Sequence, residues 1–205
     1  MGIVSRICTT VLLILLLQVA WPPVSASPQA GVAPPPEAAR VLDALHQGGL
    51  VVLLRHSATE PGVGDPPGFD LKDCATQRNL SEAGREQARR LGRWFQANGI
   101  APTAVRASPW CRARETAMLA FGRSEDWAPL SNLFADRSGQ HEQVRQVREA
   151  IAAVGSGDVD ILVSHGVSIN AFIGVYLAHG ELVVVRPSGG TGVAGVEVVG
   201  RLLLP

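Results

Sequence analysis

Lysine is almost missing from this chain: of its 18 basic residues only Lys72 is one, and the rest are arginines. Charge of one sign is also lacking. Eighteen acidic residues balance the 18 basic ones, so no long-range field points to nucleic acid or to an anionic membrane. The glycine frame of a phosphate-binding P-loop does not precede Lys72. No set of His, Cys, Asp and Glu has metal-ligand spacing, so neither a metal nor another cofactor is expected. No internal repeat is evident. Cysteine is scarce, with three in 205 residues. A Cys-x5-Arg nucleophile loop is excluded, because Leu80 stands six beyond Cys74 and Ala117 six beyond Cys111.

What is present is an apolar fraction of 46%, enough for one sizeable core and too high for a disordered chain. The arginine bias is what a GC-rich genome produces, yet each guanidinium also offers a planar fork that suits a phosphoryl group. The placement of the arginines therefore matters more than their number. At the N-terminus, Arg6 precedes the apolar run VLLILLLQVA, and Val24-Ser25-Ala26 supplies a small-residue cleavage pattern. This layout predicts a signal peptide over residues 1–26, cut after Ala26, and a secreted or periplasmic mature protein. The run is short for a membrane span, so no stable insertion is expected after cleavage. Cys8 lies before the run and would be removed with it. The pair that remains, Cys74 and Cys111, is either a disulfide or two free thiols.

Residues 27–36 read as a Pro-rich linker and 37–205 as one domain. Helices are expected over Glu37–His46, Glu82–Asn98, a segment opened by Ser108-Pro109 and stopped by Gly122, Gln140–Val154 and Ser168–Ala178. Buried strands are expected at Leu50–Leu54, Ala104–Ala107 and Val159–Val163. Leu182–Arg186 and Val193–Leu204 suggest a terminal hairpin. Alternating strands and helices imply an α/β domain with a largely parallel sheet, whose chemistry gathers beyond the carboxyl ends of its strands.

Arg55-His56 and His165 sit at such ends, and a third strand leads to Arg112. Fixed positive donors of this kind suit the three equatorial oxygens of a transferred phosphoryl group. A histidine surrounded by arginines stays neutral near pH 7 and can act as a nucleophile. Arg112 and Thr116 are four apart and share one helix face.

The wording of these segments resembles a known family. LLRHSATE (53–60) is similar to the Arg-His-Gly-x-Thr signature of the histidine phosphatase superfamily. NLSEAGREQARRLG (79–92), ASPWCRARETA (107–117) and VSHG (163–166) resemble its three following motifs, in order and spacing. The resemblance implies a three-layer α/β/α sandwich around a mostly parallel sheet, like the phosphoglycerate mutases. It implies a metal-independent phosphomonoester hydrolase, with His56 as the nucleophile that carries the phosphoryl group. Arg55, Arg112 and His165 would bind the phosphoryl oxygens. Ser57, Thr59 and Arg78 are candidate substrate contacts, although Ser57 departs from the usual glycine. Asp136 is the candidate general acid, with Glu60, Asp65 and Glu142 as rivals. A disulfide between Cys74 and Cys111 is expected, worth about 3–4 kcal/mol. His46, His141 and His179 fit no motif and read as surface or packing residues.

The expected partner is a small-molecule or envelope phosphomonoester; the oligomeric state is open. Two alternatives share the pocket. One is a phosphomutase, which returns the phosphoryl group to its substrate. The other is a non-catalytic phospholigand-binding protein.

Overall fold

A computed structural model describes residues 36–134, 136–189 and 195–204. The expected signal peptide, the linker residues 27–35 and the start of the last strand at Val193 lie outside these residues. Among the described residues, no helix is long and apolar enough to cross a membrane.

The elements run α1 (Pro36–Gln47), β1 (Leu50–Arg55), α2 (Glu82–Ala97), β2 (Ala104–Ala107), α3 (Cys111–Phe121), β3 (Glu125–Asp126), α4 (Gln140–Ala152), β4 (Val159–Ser164), α5 (Gly166–Ile173), β5 (Leu182–Pro187) and β6 (Val196–Leu202). They form one six-stranded sheet in the order β3-β2-β4-β1-β5-β6. β1 and β2 both pair parallel to β4, and β3 pairs parallel to β2. β5 runs antiparallel to β1 and to β6, so the hairpin closes one side of an otherwise parallel sheet.

β1 is apolar at every position but its last because both of its faces are covered. Leu50, Val52 and Leu54 point to one side, where they pack with Val41, Phe95 and Ala113 from α1, α2 and α3. Val51 and Leu53 point to the other and pack with Ile151 and Phe172 from α4 and α5. The period-2 alternation of a strand thus splits the core into two apolar layers, giving the α/β/α sandwich.

Three local expectations are corrected. α5 starts earlier than expected and stops at Ile173, because Gly174 adopts φ 76° and caps it; residues 174–181 are therefore free to loop over the strand ends. α3 begins at Cys111 without a side-chain cap. The Ser108 hydroxyl accepts the Trp110 amide just ahead of it at 3.4 Å and also lies 2.8 Å from His165 Nε2. β3, two exposed residues, had no signal in the sequence.

Cys74 and Cys111 are joined by a disulfide across 37 residues. It ties the loop after β1 to the first turn of α3.

Candidate active site

The parallel pairing of β1 with β4 brings Arg55 level with Ser164, so His56 and His165 emerge side by side. The His56 amide donates to the Ser164 carbonyl at 3.0 Å, and the Ser108 amide donates to Val163 at 2.9 Å. Three strand ends therefore meet at one point, and Arg112 enters from α3 just beyond the third.

His56 is buried, with its ring Nδ1 2.9 Å from the Ser57 carbonyl. A carbonyl only accepts, so Nδ1 carries the proton and Nε2 keeps its lone pair. Burial first, and the Arg112 charge second, hold this imidazole well below its ordinary proton affinity. It is a neutral nucleophile with its orientation fixed.

The backbone behind it is clamped. The Ser57 amide donates to Thr116 Oγ1 at 3.0 Å, and that hydroxyl donates to the Arg112 carbonyl at 2.7 Å. The Ala58 amide donates to Gln87 Oε1 at 3.1 Å. α2 comes so close that a Cβ on Gly84 would lie 1.9 Å from the Ala58 carbonyl oxygen, so only glycine fits there. The sequence SEAGREQA thus acts as a support for the nucleophile loop.

Arg112 is fully buried. Its fork donates to both oxygens of Asp65, at 2.8 and 3.0 Å, and the Arg78 amide donates to the same carboxylate at 3.1 Å. Burial lowers the Arg112 proton affinity and the Asp65 charge opposes that shift. Arg55 donates to the Leu177 carbonyl at 2.8 Å and to His179 Nε2 at 2.7 Å. His179 accepts that bond, so it is neutral; burial and then the Arg55 charge bring its pKa to about 4. His165 is held neutral by burial and by its neighbours His56 and Arg112. The Ser108 hydroxyl lies 2.8 Å from His165 Nε2, and His165 Nδ1 is buried with no protein partner. The side-chain nitrogens Nε of Arg55 and Nε of Arg112 are likewise buried and unpartnered. His165 and His179 each lie 5.2 Å from His56, centroid to centroid.

These groups surround a cavity of about 410 Å³ lined by Arg55, His56, Asp65, Arg78 and His165, among others. Unsatisfied N–H donors, guanidinium charge and one neutral imidazole nucleophile are what an incoming phosphoryl group requires. Among the described residues, no group of three or more His, Cys, Asp or Glu is placed to hold a metal ion.

Of the expected site residues, the structure brings Arg55, His56, Arg78, Arg112 and His165 together. Ser57 and Thr59 are buried behind the pocket and do not line it: Ser57 contributes its backbone, and Thr59 bridges to Leu80. Asp136 is not brought to the cavity. It is exposed on the loop before α4, accepting the Ser138 amide at 2.8 Å, and that bond lowers its pKa, which makes it a poorer acid. Glu60 is exposed, and Glu142 pairs with Arg145 on the surface. Asp65 is the carboxylate among the described residues that lines the cavity. His46 and His141 are on the surface as expected, whereas His179 belongs to the site. The antiparallel pairing of β5 with β1 places it there. With Leu182 opposite Leu54, the residues just before β5 fall beside Arg55 and His56, and the Gly180 amide donates to both of their carbonyls at 3.2 Å.

Residues 51–133 match the profile of the histidine phosphatase superfamily (branch 1). No curated protein matches the chain. Among solved structures, it is similar to SixA of Agrobacterium tumefaciens, a candidate phosphohistidine phosphatase, at 19% identity and a TM-score of 0.51, covering 77% of this chain and 99% of that one. It is similar also to an Entamoeba histolytica phosphoserine phosphatase solved with 3-phosphoglyceric acid, at 12% identity and 0.52, covering 76% and 97%. The product of reading frame Rv3214 of Mycobacterium tuberculosis gives 16% identity and 0.53, covering 73% and 94%. These likenesses establish a shared fold.

Proposed function

We propose that this chain, whose residues 51–133 match the profile of the histidine phosphatase superfamily, is a phosphatase that hydrolyses phosphomonoesters without a metal ion, through a phosphohistidine on His56. The observation that carries this reading is the His56 ring. It is buried and neutral, locked by Ser57 through Nδ1, with Arg55, Arg112 and His165 around its free side.

In the first step Nε2 of His56 attacks phosphorus and the bond from phosphorus to the ester oxygen breaks. The departing alkoxide takes a proton from Asp65. Asp65, a carboxylate on the Arg112 fork before substrate binds, first takes up that proton from solvent. The incoming phosphoryl group competes with Asp65 for the guanidinium fork. In the second step Asp65 removes a proton from water, the water oxygen bonds to phosphorus, and the bond from phosphorus to Nε2 breaks. Phosphate leaves and the imidazole is regenerated. Arg55, Arg112 and His165 Nδ1 face charge on the equatorial oxygens in both steps.

We propose also that the protein acts outside the reducing cytoplasm. The apolar N-terminal run and the Cys74–Cys111 disulfide support that reading. Sequencing the N-terminus of the mature protein tests it: Ser27 is expected, and an intact Met1 would speak against export.

The test of function is turnover of a phosphomonoester panel in EDTA, with His56→Ala beside the wild type. Metal-free turnover lost in the variant supports the reading. Phosphate binding with no turnover leaves a phospholigand-binding protein.

A further inference from the structure

The cavity is lined by charged residues and by exposed apolar side chains together. Six large apolar side chains are exposed among the described residues, and three of them stand at its mouth. Phe134 and Tyr176 line it, at 77% and 67% exposure, and Val63 (50%) adjoins the lining residue Gly64. Val167 lines the same side, part-buried. Exposed rings gathered at one opening, rather than scattered, mark a surface used for binding.

The two rings are held by built segments. Leu133, next to Phe134, is fully buried, and its amide donates to Ser168 Oγ at 3.1 Å. The Phe134 amide donates to Asn132 Oδ1 at 3.1 Å. On the other side the Tyr176 carbonyl accepts from Arg201 at 2.8 Å. Its buried neighbour Leu177 accepts from Arg55 at 2.8 Å, so this part of the rim shares a residue with the phosphoryl site.

The charged residues that line the cavity are Arg55, Asp65 and Arg78. Arg55 donates to Leu177 and His179 and keeps Nε unpartnered, and the Arg78 guanidinium donates to the Val63 carbonyl at 3.3 Å with its Nε likewise unpartnered.

From this we infer that the phosphomonoester taken here carries an apolar, flat group on its alcohol side, seated between Phe134 and Tyr176. The inference rests on the hydrolase reading of the same site and names its substrate class.

The test compares 2-phenylethyl phosphate with glycerol 3-phosphate. Both leaving groups are alkanols of similar basicity, so a difference in kcat/KM reports recognition rather than chemistry. The expected preference for the phenyl ester is about tenfold or more, the size of one or two well-placed ring contacts. In the double variant Phe134→Ala, Tyr176→Ala, whose side chains are exposed and whose fold is checked by its Tm, the ratio should fall toward one. A ratio near one in the wild type, with both esters turned over, overturns the inference and leaves the hydrolase reading intact. No turnover of either ester, nor of 4-nitrophenyl phosphate, would defeat the hydrolase reading. Calorimetry with 2-phenylethylphosphonate against methylphosphonate then decides the inference separately: tighter binding of the phenyl compound supports it and equal binding overturns it.

Discussion

Replacing Asp65 by Asn isolates the contact between the buried arginine and its carboxylate. The wild-type carboxylate accepts both arms of the Arg112 fork at 2.8 and 3.0 Å, and Arg112 is fully buried while the Asp65 side chain is 18% exposed. An uncompensated buried charge costs about 3–5 kcal/mol. Asn keeps one acceptor and Asp65 is partly wetted, so the expected loss of stability is smaller, about 1–3 kcal/mol. The effects on binding and on catalysis should have opposite signs. Freed from its carboxylate, the Arg112 fork should hold inorganic phosphate more tightly. Without a proton donor, kcat on alkyl esters should fall by about 10²–10⁴. On 2,4-dinitrophenyl phosphate, whose leaving group needs no proton, kcat should fall by less than about tenfold. Stopped assays on both ester types, with phosphate binding followed by calorimetry, give all three readings. Equal losses on good and poor leaving groups, with weaker phosphate binding, would refute the role given to Asp65.

Reducing the disulfide, or replacing both cysteines by Ser, should destabilise the domain by about 4 kcal/mol from a loop of 37 residues, and calorimetry should show Tm lower by roughly 8–15 °C. Gly84→Ala should abolish most activity while leaving helix content by circular dichroism intact, because the new methyl displaces the Ala58 carbonyl behind the nucleophile. His179 has its folded-state pKa depressed from 6.5 to about 4. The unfolded chain therefore binds the proton first as pH falls. The stability that His179 contributes is present above about pH 6.5 and is lost between there and pH 4. Thermal melts from pH 7 to 4 should show that loss, and His179→Asn should flatten part of it. The same depression at His56 means that kcat/KM should hold on the acid side to below pH 6.5, with no limb at the ordinary histidine value.

Much of the sheet was legible because its strands are local signals. LVVLL is a short apolar run and VDILV one broken only by Asp160; both fit a strand covered on its two faces, and each ends on the residues that carry the chemistry. The motif arginines and histidines could be placed because parallel strands put their ends at one edge. What the sequence could not reveal depends on pairing across long separations. His179 enters the site because β5 turns back against β1, and nothing near it in the chain reports that register. Asp65 stands 47 positions before Arg112, across loop, helix and strand, and its neighbours PGVGDPPG read only as a turn. Asp136 had the right residue type after the third strand, yet its side chain is used by its own turn at Ser138. Ser108 had the spacing of a helix cap, and its hydroxyl meets both the Trp110 amide and His165.

The claim on which the rest depends is that His56 becomes phosphorylated. The mature protein, mixed in EDTA with a ³²P-labelled phosphomonoester and quenched within one turnover, should carry label that is stable in alkali and lost in acid, as a phosphoramidate is. Peptide mapping should place that label on His56, and His56→Ala should carry none. Full hydrolysis with no trapped label, by a variant lacking His56, would contradict the account.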